Sequence, residues 1–229
     1  MTRARLPPVR PEPLLPGSEQ ALFRVLSLAP DAETWLRRGA LAALVLVALV
    51  SCFRRRVALA PSLSRVVLEG LAGAVVLGPA LALGTRLLGV ELAVEPMRTA
   101  PTLAEAGRVL GGAAFEELLF RVLVYGALYV LARRLLLLLR APERLAGLAG
   151  DLFAVGGSAL GFAAVHLESW TAWISTAGEP YDAGVFTWRL LAGVLLALLF
   201  RWRGPGVAAW SHGLFNLALL IGADPEVFL

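Results

Sequence analysis

The chain contains two histidines, His166 and His212, and one asparagine, Asn216, and all three lie within or at the edge of long apolar stretches. A third such stretch carries Glu116, Glu117 and Arg121. Ionisable side chains cost several kcal/mol to place in hydrocarbon, so where they occur they mark a site or a pathway. Residues four apart share one face of a helix. That spacing joins Glu117 to Arg121, Phe162 to His166, and His212 to Asn216. Glu116 lies about 100° round the helix from Glu117 and points in a different direction. Three helices thus present a carboxylate, two imidazoles and a carboxamide that need partners in a solvent offering none, and mutual convergence satisfies them.

Together these groups suit the hydrolysis of an amide. Glu116 can take a proton from water as general base, with His166 holding that water and moving protons. His212 and Asn216 can donate hydrogen bonds to the oxyanion of a tetrahedral intermediate. Arg121 fixes Glu117 by an intrahelical ion pair, which keeps both charged at low dielectric; for that pair a purely structural role is weighed equally. Glu116, His166 and His212 could alternatively hold zinc or another divalent metal, with an open position for water. The sequence lacks a double-histidine helix motif such as H-E-x-x-H, and Asn216 suits an oxyanion donor better than a ligand, so no metal or other cofactor is favoured.

The elements that must carry these residues are membrane helices. Of 229 residues, 58% are hydrophobic, and the mean hydropathy is +0.74, beyond the roughly 45–50% apolar content of soluble domains. Stretches approaching the roughly 20 residues that cross a bilayer occur at Gly39–Phe53, Val66–Leu88, Leu110–Ala132, Leu145–Leu167, Val185–Phe200 and Gly206–Gly222. The expected fold is an all-α polytopic membrane helix bundle of about six transmembrane helices, with room for additional interfacial ones. Thr102 and Glu105 have the spacing of a capping box, placing a helix start ahead of the third span, with a bend expected at Gly111-Gly112. Residues 1–34 read as a proline-rich, then amphipathic, amino-terminal extension, and residues 35–229 as the membrane domain. Glu69 and Arg189, also within spans, read as a structural pair or as cavity-facing residues. Trp170 and Trp173 read as an interfacial belt.

The net charge of +4 comes from arginine alone, since the chain has no lysine. The arginines flank apolar runs and are not interleaved with aromatic residues, which excludes nucleic acid as the expected partner. The single cysteine, Cys52, excludes an internal disulfide. Arg54, Arg55, Arg56 and Arg65 follow the first span; Arg133, Arg134, Arg140 and Arg144 follow the third; Arg201 and Arg203 follow the fifth. These turns are expected in the cytoplasm, and the acidic Glu168–Gly184 loop outside, although Arg37 and Arg38 run against that scheme. The protein is then integral to the inner or plasma membrane, with its site towards the outer leaflet.

Three signatures in order, Glu116-Glu117-x-x-x-Arg121, Phe162-x-x-x-His166 and His212-x-x-x-Asn216, together with the basic turn Arg201-Trp202-Arg203-Gly204-Pro205, resemble those of the CPBP family (CAAX prenyl endopeptidase and bacteriocin-processing, or Abi, proteases). The resemblance covers about residues 105–222. It implies an intramembrane endopeptidase in which Glu116 and His166 activate water, His212 and Asn216 serve the oxyanion, and Glu117, Arg121 and Phe162 support the site. It also implies membrane lipid and a protein or peptide with a membrane-anchored or carboxy-terminal sorting tail as partners; the outward-facing site resembles the myxosortase-like branch. Metalloprotease and metal-free glutamate mechanisms have both been argued for the family. Two other readings use the same residues: a non-catalytic immunity or binding protein on this scaffold, and a transporter or proton relay. The absence of an inverted repeat weighs against the last.

Overall fold

The computed structural model describes residues 59–90, 100–171 and 179–222, with Gly39 and Leu46. The amino-terminal extension, Cys52, Trp173 and nearly all of the first predicted span lie outside the described residues.

Helix is the dominant structure, as expected. The order is α1 (Leu59–Leu87), α2 (Leu103–Glu117), a π-helical segment π1 (Leu118–Tyr125), α3 (Gly126–Leu138), α4 (Glu143–Ala164), a single turn α5 (Glu168–Thr171), α6 (Ala183–Arg203) and α7 (Pro205–Leu220). Among the described residues the only extended pairing is an isolated parallel bridge between Leu167 and Glu179. Helix ends follow local chemistry. Thr102 and Glu105 form the expected capping box, each accepting from the other's backbone N–H, at 2.7 and 3.3 Å. Asp182 caps α6 by accepting from Val185 N–H at 2.8 Å. Between α6 and α7 the chain turns on Gly204 alone, at a φ of 89°, and Pro205 opens the next helix.

Among the described residues, three helices are long and apolar enough to cross a membrane: Ser62–Leu87, Glu143–Ala164 and Ala183–Arg203, with mean hydropathies of 2.0, 1.4 and 2.0. These answer to the second, fourth and fifth predicted spans. The third, Leu110–Ala132, runs through α2, π1 and α3, which follow one another without a non-helical residue between them, and the sixth corresponds to α7, of 16 residues. A hydropathy window senses apolar length and is blind to the hydrogen-bond pattern within it. For the same reason the expected bend at Gly111-Gly112 is replaced by regular α-helix, and the irregularity comes at π1, directly after the paired glutamates.

Only about a third or less of each membrane-length window is buried, 28%, 33% and 28% in chain order. Leu68, Val76, Leu148 and Leu152 face outward among many other large apolar side chains. A monomer in water does not tolerate a surface of that kind, whereas hydrocarbon does.

Small residues bring the helices into close contact. A Cβ on Gly73 of α1 would collide with Ser211 Oγ of α7, and one on Gly70 would lie 2.6 Å from the Trp210 ring. Gly193 of α6 meets Ala159 of α4, where an added Cβ would stand 2.9 Å from the Ala159 Cα. Such approach is how membrane helices gain packing without a hydrophobic drive between them. Leu77 and Leu81 of α1, Ala192 and Leu196 of α6 and Phe215 of α7 form one buried cluster; Tyr125, Ala154 and Ala197 form a second. Ion pairs gather at one end. Arg203 and Arg65 share Glu69, Arg201 binds Asp151 at 2.8 Å, and Arg133 binds Glu143 at 2.6 Å. Glu69 therefore pairs with Arg203 and Arg65 and not with Arg189, correcting the first of the two sequence alternatives for that residue.

Candidate active site

The site residues come from α2, π1, the end of α4 and α7. α2 ends on Glu116 and Glu117, both buried, and π1 carries Arg121, which is wholly buried. Phe162 lies near the end of α4 and His166 just beyond it. His212 and Asn216 lie on α7, held in place by its contacts with α1 and α2: Gly213 packs against Leu110 and Ala113.

Phe162 sits at the centre. Its ring meets His166 edge-on at 5.2 Å and His212 at 5.7 Å, packs on Phe120 at 5.5 Å, and carries the Arg121 guanidinium 5.0 Å above its face. That cation–π contact gives the Arg121 charge a partner besides Glu117, whose Oε2 lies 3.2 Å from its Nε in ion-pair contact, though not in hydrogen-bonding geometry. Glu117 spans two helices, since its Oε1 also accepts from His212 Nδ1 at 3.0 Å.

The Nδ1 bonds set both imidazoles. His166 Nδ1 lies 2.8 Å from the Phe162 carbonyl oxygen, which only accepts, so Nδ1 carries the hydrogen. His212 Nδ1 faces the Glu117 carboxylate and is assigned its hydrogen by the same reasoning. Both Nε2 atoms then turn towards Glu116. His166 Nε2 stands 4.0 Å from one carboxylate oxygen and His212 Nε2 3.8 Å from the other. These separations exceed a direct hydrogen bond and suit a bridging water.

Above this group opens a cavity of about 200 Å³, lined by Glu116, Phe162, His166, His212 and Asn216 and by apolar side chains of α1, α6 and α7. Asn216 lines the cavity from α7. The six residues marked in the sequence and Phe162 thus form one contiguous constellation.

Residues 98–218, just over half of the chain, match the family model for type II CAAX prenyl endopeptidase Rce1-like proteins. The match spans every residue of the constellation. The chain belongs to this family. The Rce1-like family is a protease family, which places the chain among membrane peptidases. No curated protein and no solved structure matches the chain.

Metal has been invoked for such sites, and the donors here are chemically suited to zinc: two imidazole nitrogens and a carboxylate, with each imidazole's other nitrogen committed to an oxygen. Among the described residues, however, no group of three or more His, Cys, Asp or Glu side chains is placed to hold a metal ion.

Two features escaped the sequence reading. Asp151 is a further charge inside the fourth predicted span; it accepts from Tyr125 Oη at 2.6 Å and from Arg201, tying π1, α4 and α6 together away from the site. Val185, Trp188, Arg189, Ala192 and Leu196 line the cavity, and their spacing of three and four residues already marks one face of a helix. Arg189 is therefore cavity-facing, the second of its two sequence alternatives.

Proposed function

We propose that the protein is an intramembrane endopeptidase that hydrolyses a peptide bond near the carboxy terminus or membrane anchor of its substrate, by attack of a water activated without metal. The placement of Glu116 between two imidazole Nε2 atoms, at 4.0 and 3.8 Å, carries this reading. A water there meets acceptors on several sides, so its hydrogens point into the site and an oxygen lone pair is left for the substrate carbonyl. Glu116 takes a proton as the oxygen attacks, and His166 moves a proton to the departing amine. Asn216 donates to the oxyanion from its carboxamide. His212 donates from Nε2 only when both ring nitrogens carry hydrogen, and Glu117 at 3.0 Å and Glu116 at 3.8 Å supply the countercharge for that form. Glu117 and Arg121 orient His212 and do not touch the reacting atoms.

The catalytic cleft lies on the cavity-facing part of α6 that begins at Val185, whereas Arg201 and Arg203 end that helix. With arginine-rich turns in the cytoplasm, this supports a site towards the outer leaflet and exported substrates, such as proteins with carboxy-terminal sorting tails. The reading is tested with purified full-length protein and its Glu116→Gln variant, each incubated with membrane-anchored tail peptides and followed by mass spectrometry. Cleavage by the wild type alone supports it; equal cleavage by both, or by neither, removes it.

A further inference from the structure

Arg189 brings a guanidinium into the lining of an otherwise largely apolar cavity that also holds Glu116 and His166. Its side chain is only 16% exposed. The mechanism above gives it no task. Its partner is Glu179, whose carboxylate oxygens lie 2.7 and 2.8 Å from Nη2 and whose side chain is 54% exposed. The backbone fixes this glutamate in place: Glu179 N–H donates to the His166 carbonyl at 3.0 Å, and Glu168 N–H donates to the Glu179 carbonyl at 2.8 Å. Residue 179 is thereby held beside the catalytic histidine, and its carboxylate rests on the cavity's cation.

Three observations give this pair a meaning beyond bracing. Glu179 engages Nη2, whereas a guanidinium offers a fork of five donors that matches a carboxylate through two parallel bonds. The pair is open to solvent on its Glu179 side, where water competes for the carboxylate and lets it exchange. The cavity, at about 200 Å³, is smaller than the roughly 300–1,000 Å³ of small-molecule sites and admits a short, apolar stretch of chain. Glu116 and Arg189 line this same cavity, so a peptide bound with its scissile carbonyl at Glu116 shares its lining with Arg189.

We propose that Arg189 is a specificity-determining residue that receives a carboxylate of the substrate, displacing the resident Glu179 carboxylate. The proposal rests on the peptidase reading and adds to it the chemistry the cleft selects. The carboxylate belongs either to the substrate's free carboxy terminus or to an Asp or Glu side chain, and both present the same group to the guanidinium.

The test uses full-length protein in detergent and short apolar peptides in matched forms: free acid against carboxy-terminal amide, and internal Glu against Gln. Wild type is expected to cleave one carboxylate form about tenfold more efficiently than its neutral match, the yield of one charge-assisted pair. A preference within the first set identifies a terminal carboxylate; within the second, a side chain. Arg189→Gln is expected to bring the ratio close to one, and Arg189→Lys to restore part of it. Glu179→Gln is expected to lower KM for the carboxylate form, because the internal competitor is gone. A bracing pair would behave differently, with both neutral variants raising KM. Cleavage without any carboxylate preference, a preference surviving in Arg189→Gln, or KM rising in Glu179→Gln each overturns the proposal while leaving the peptidase reading intact. Failure of the wild type to cleave any peptide overturns both.

Discussion

At the scale of single residues, the proposed mechanism has Glu116 and His166 meet the water and Glu117 and Arg121 aim the groups around it. Glu116→Gln and His166→Ala are expected to reduce cleavage by about 10²-fold or more at unchanged protein yield, measured as kcat/KM on a peptide the wild type cleaves; near-wild-type activity in either would refute the assigned roles. Arg121→Ala is a different kind of change, since it removes the cation paired with the buried Glu117 carboxylate and leaves that group its hydrogen bond from His212. Breaking a buried pair in this way costs roughly 3–5 kcal/mol, so its Tm should fall well below that of His212→Ala; equal Tm values would show that the pair carries no structural load. Metal dependence is a third matter. Purified protein is expected to keep its activity through chelation, and one tightly bound zinc per chain, with activity lost on removal and regained on return, would reverse that. The residues of the site were legible because ionisable groups in apolar helices stand out, and helical spacing grouped them. What spacing could not reveal is that Glu117 reaches His212 on another helix, because a contact 95 residues apart leaves no periodic trace.

Elements position these residues through backbone proximity. α1 supplies no catalytic group, yet Gly73 lets it press on Ser211, the neighbour of His212. Gly73→Ala should therefore shift α7, lowering stability by about 1–3 kcal/mol and activity with it. Ser211→Ala removes the hydroxyl that the new methyl would strike, so the double variant should recover much of the loss. Additive losses in a thermal-denaturation cycle would show that the two helices do not meet there. The long apolar helices α1, α4 and α6 were legible from hydropathy alone. π1 was not, because Leu118 to Tyr125 continues the apolar helical run and nothing in its composition marks a widened turn.

For the whole molecule, the orientation in the membrane remains the property on which substrate choice turns. In a Cys52→Ala background, a cysteine replacing the exposed Pro180 is expected to react with a membrane-impermeant reagent in intact cells, and one replacing Ala141 is not; the reverse pattern would turn the cleft towards the cytoplasm and remove the case for exported substrates. Charge placement made this expectation legible in sequence, while the gathering of Arg65, Arg133, Arg201 and Arg203 into ion pairs at one end of the bundle needed three dimensions. The Glu117–Arg121 pair also has a consequence for biogenesis. Its two members are four residues apart, so they neutralise each other as soon as one helical turn forms, whereas His212 is synthesised 95 residues after Glu117, roughly 5–20 s later at ordinary translation rates. The nascent segment thus enters the bilayer with its own counterion, and the most buried charge of the finished enzyme never has to wait, unpaired, for the end of the chain.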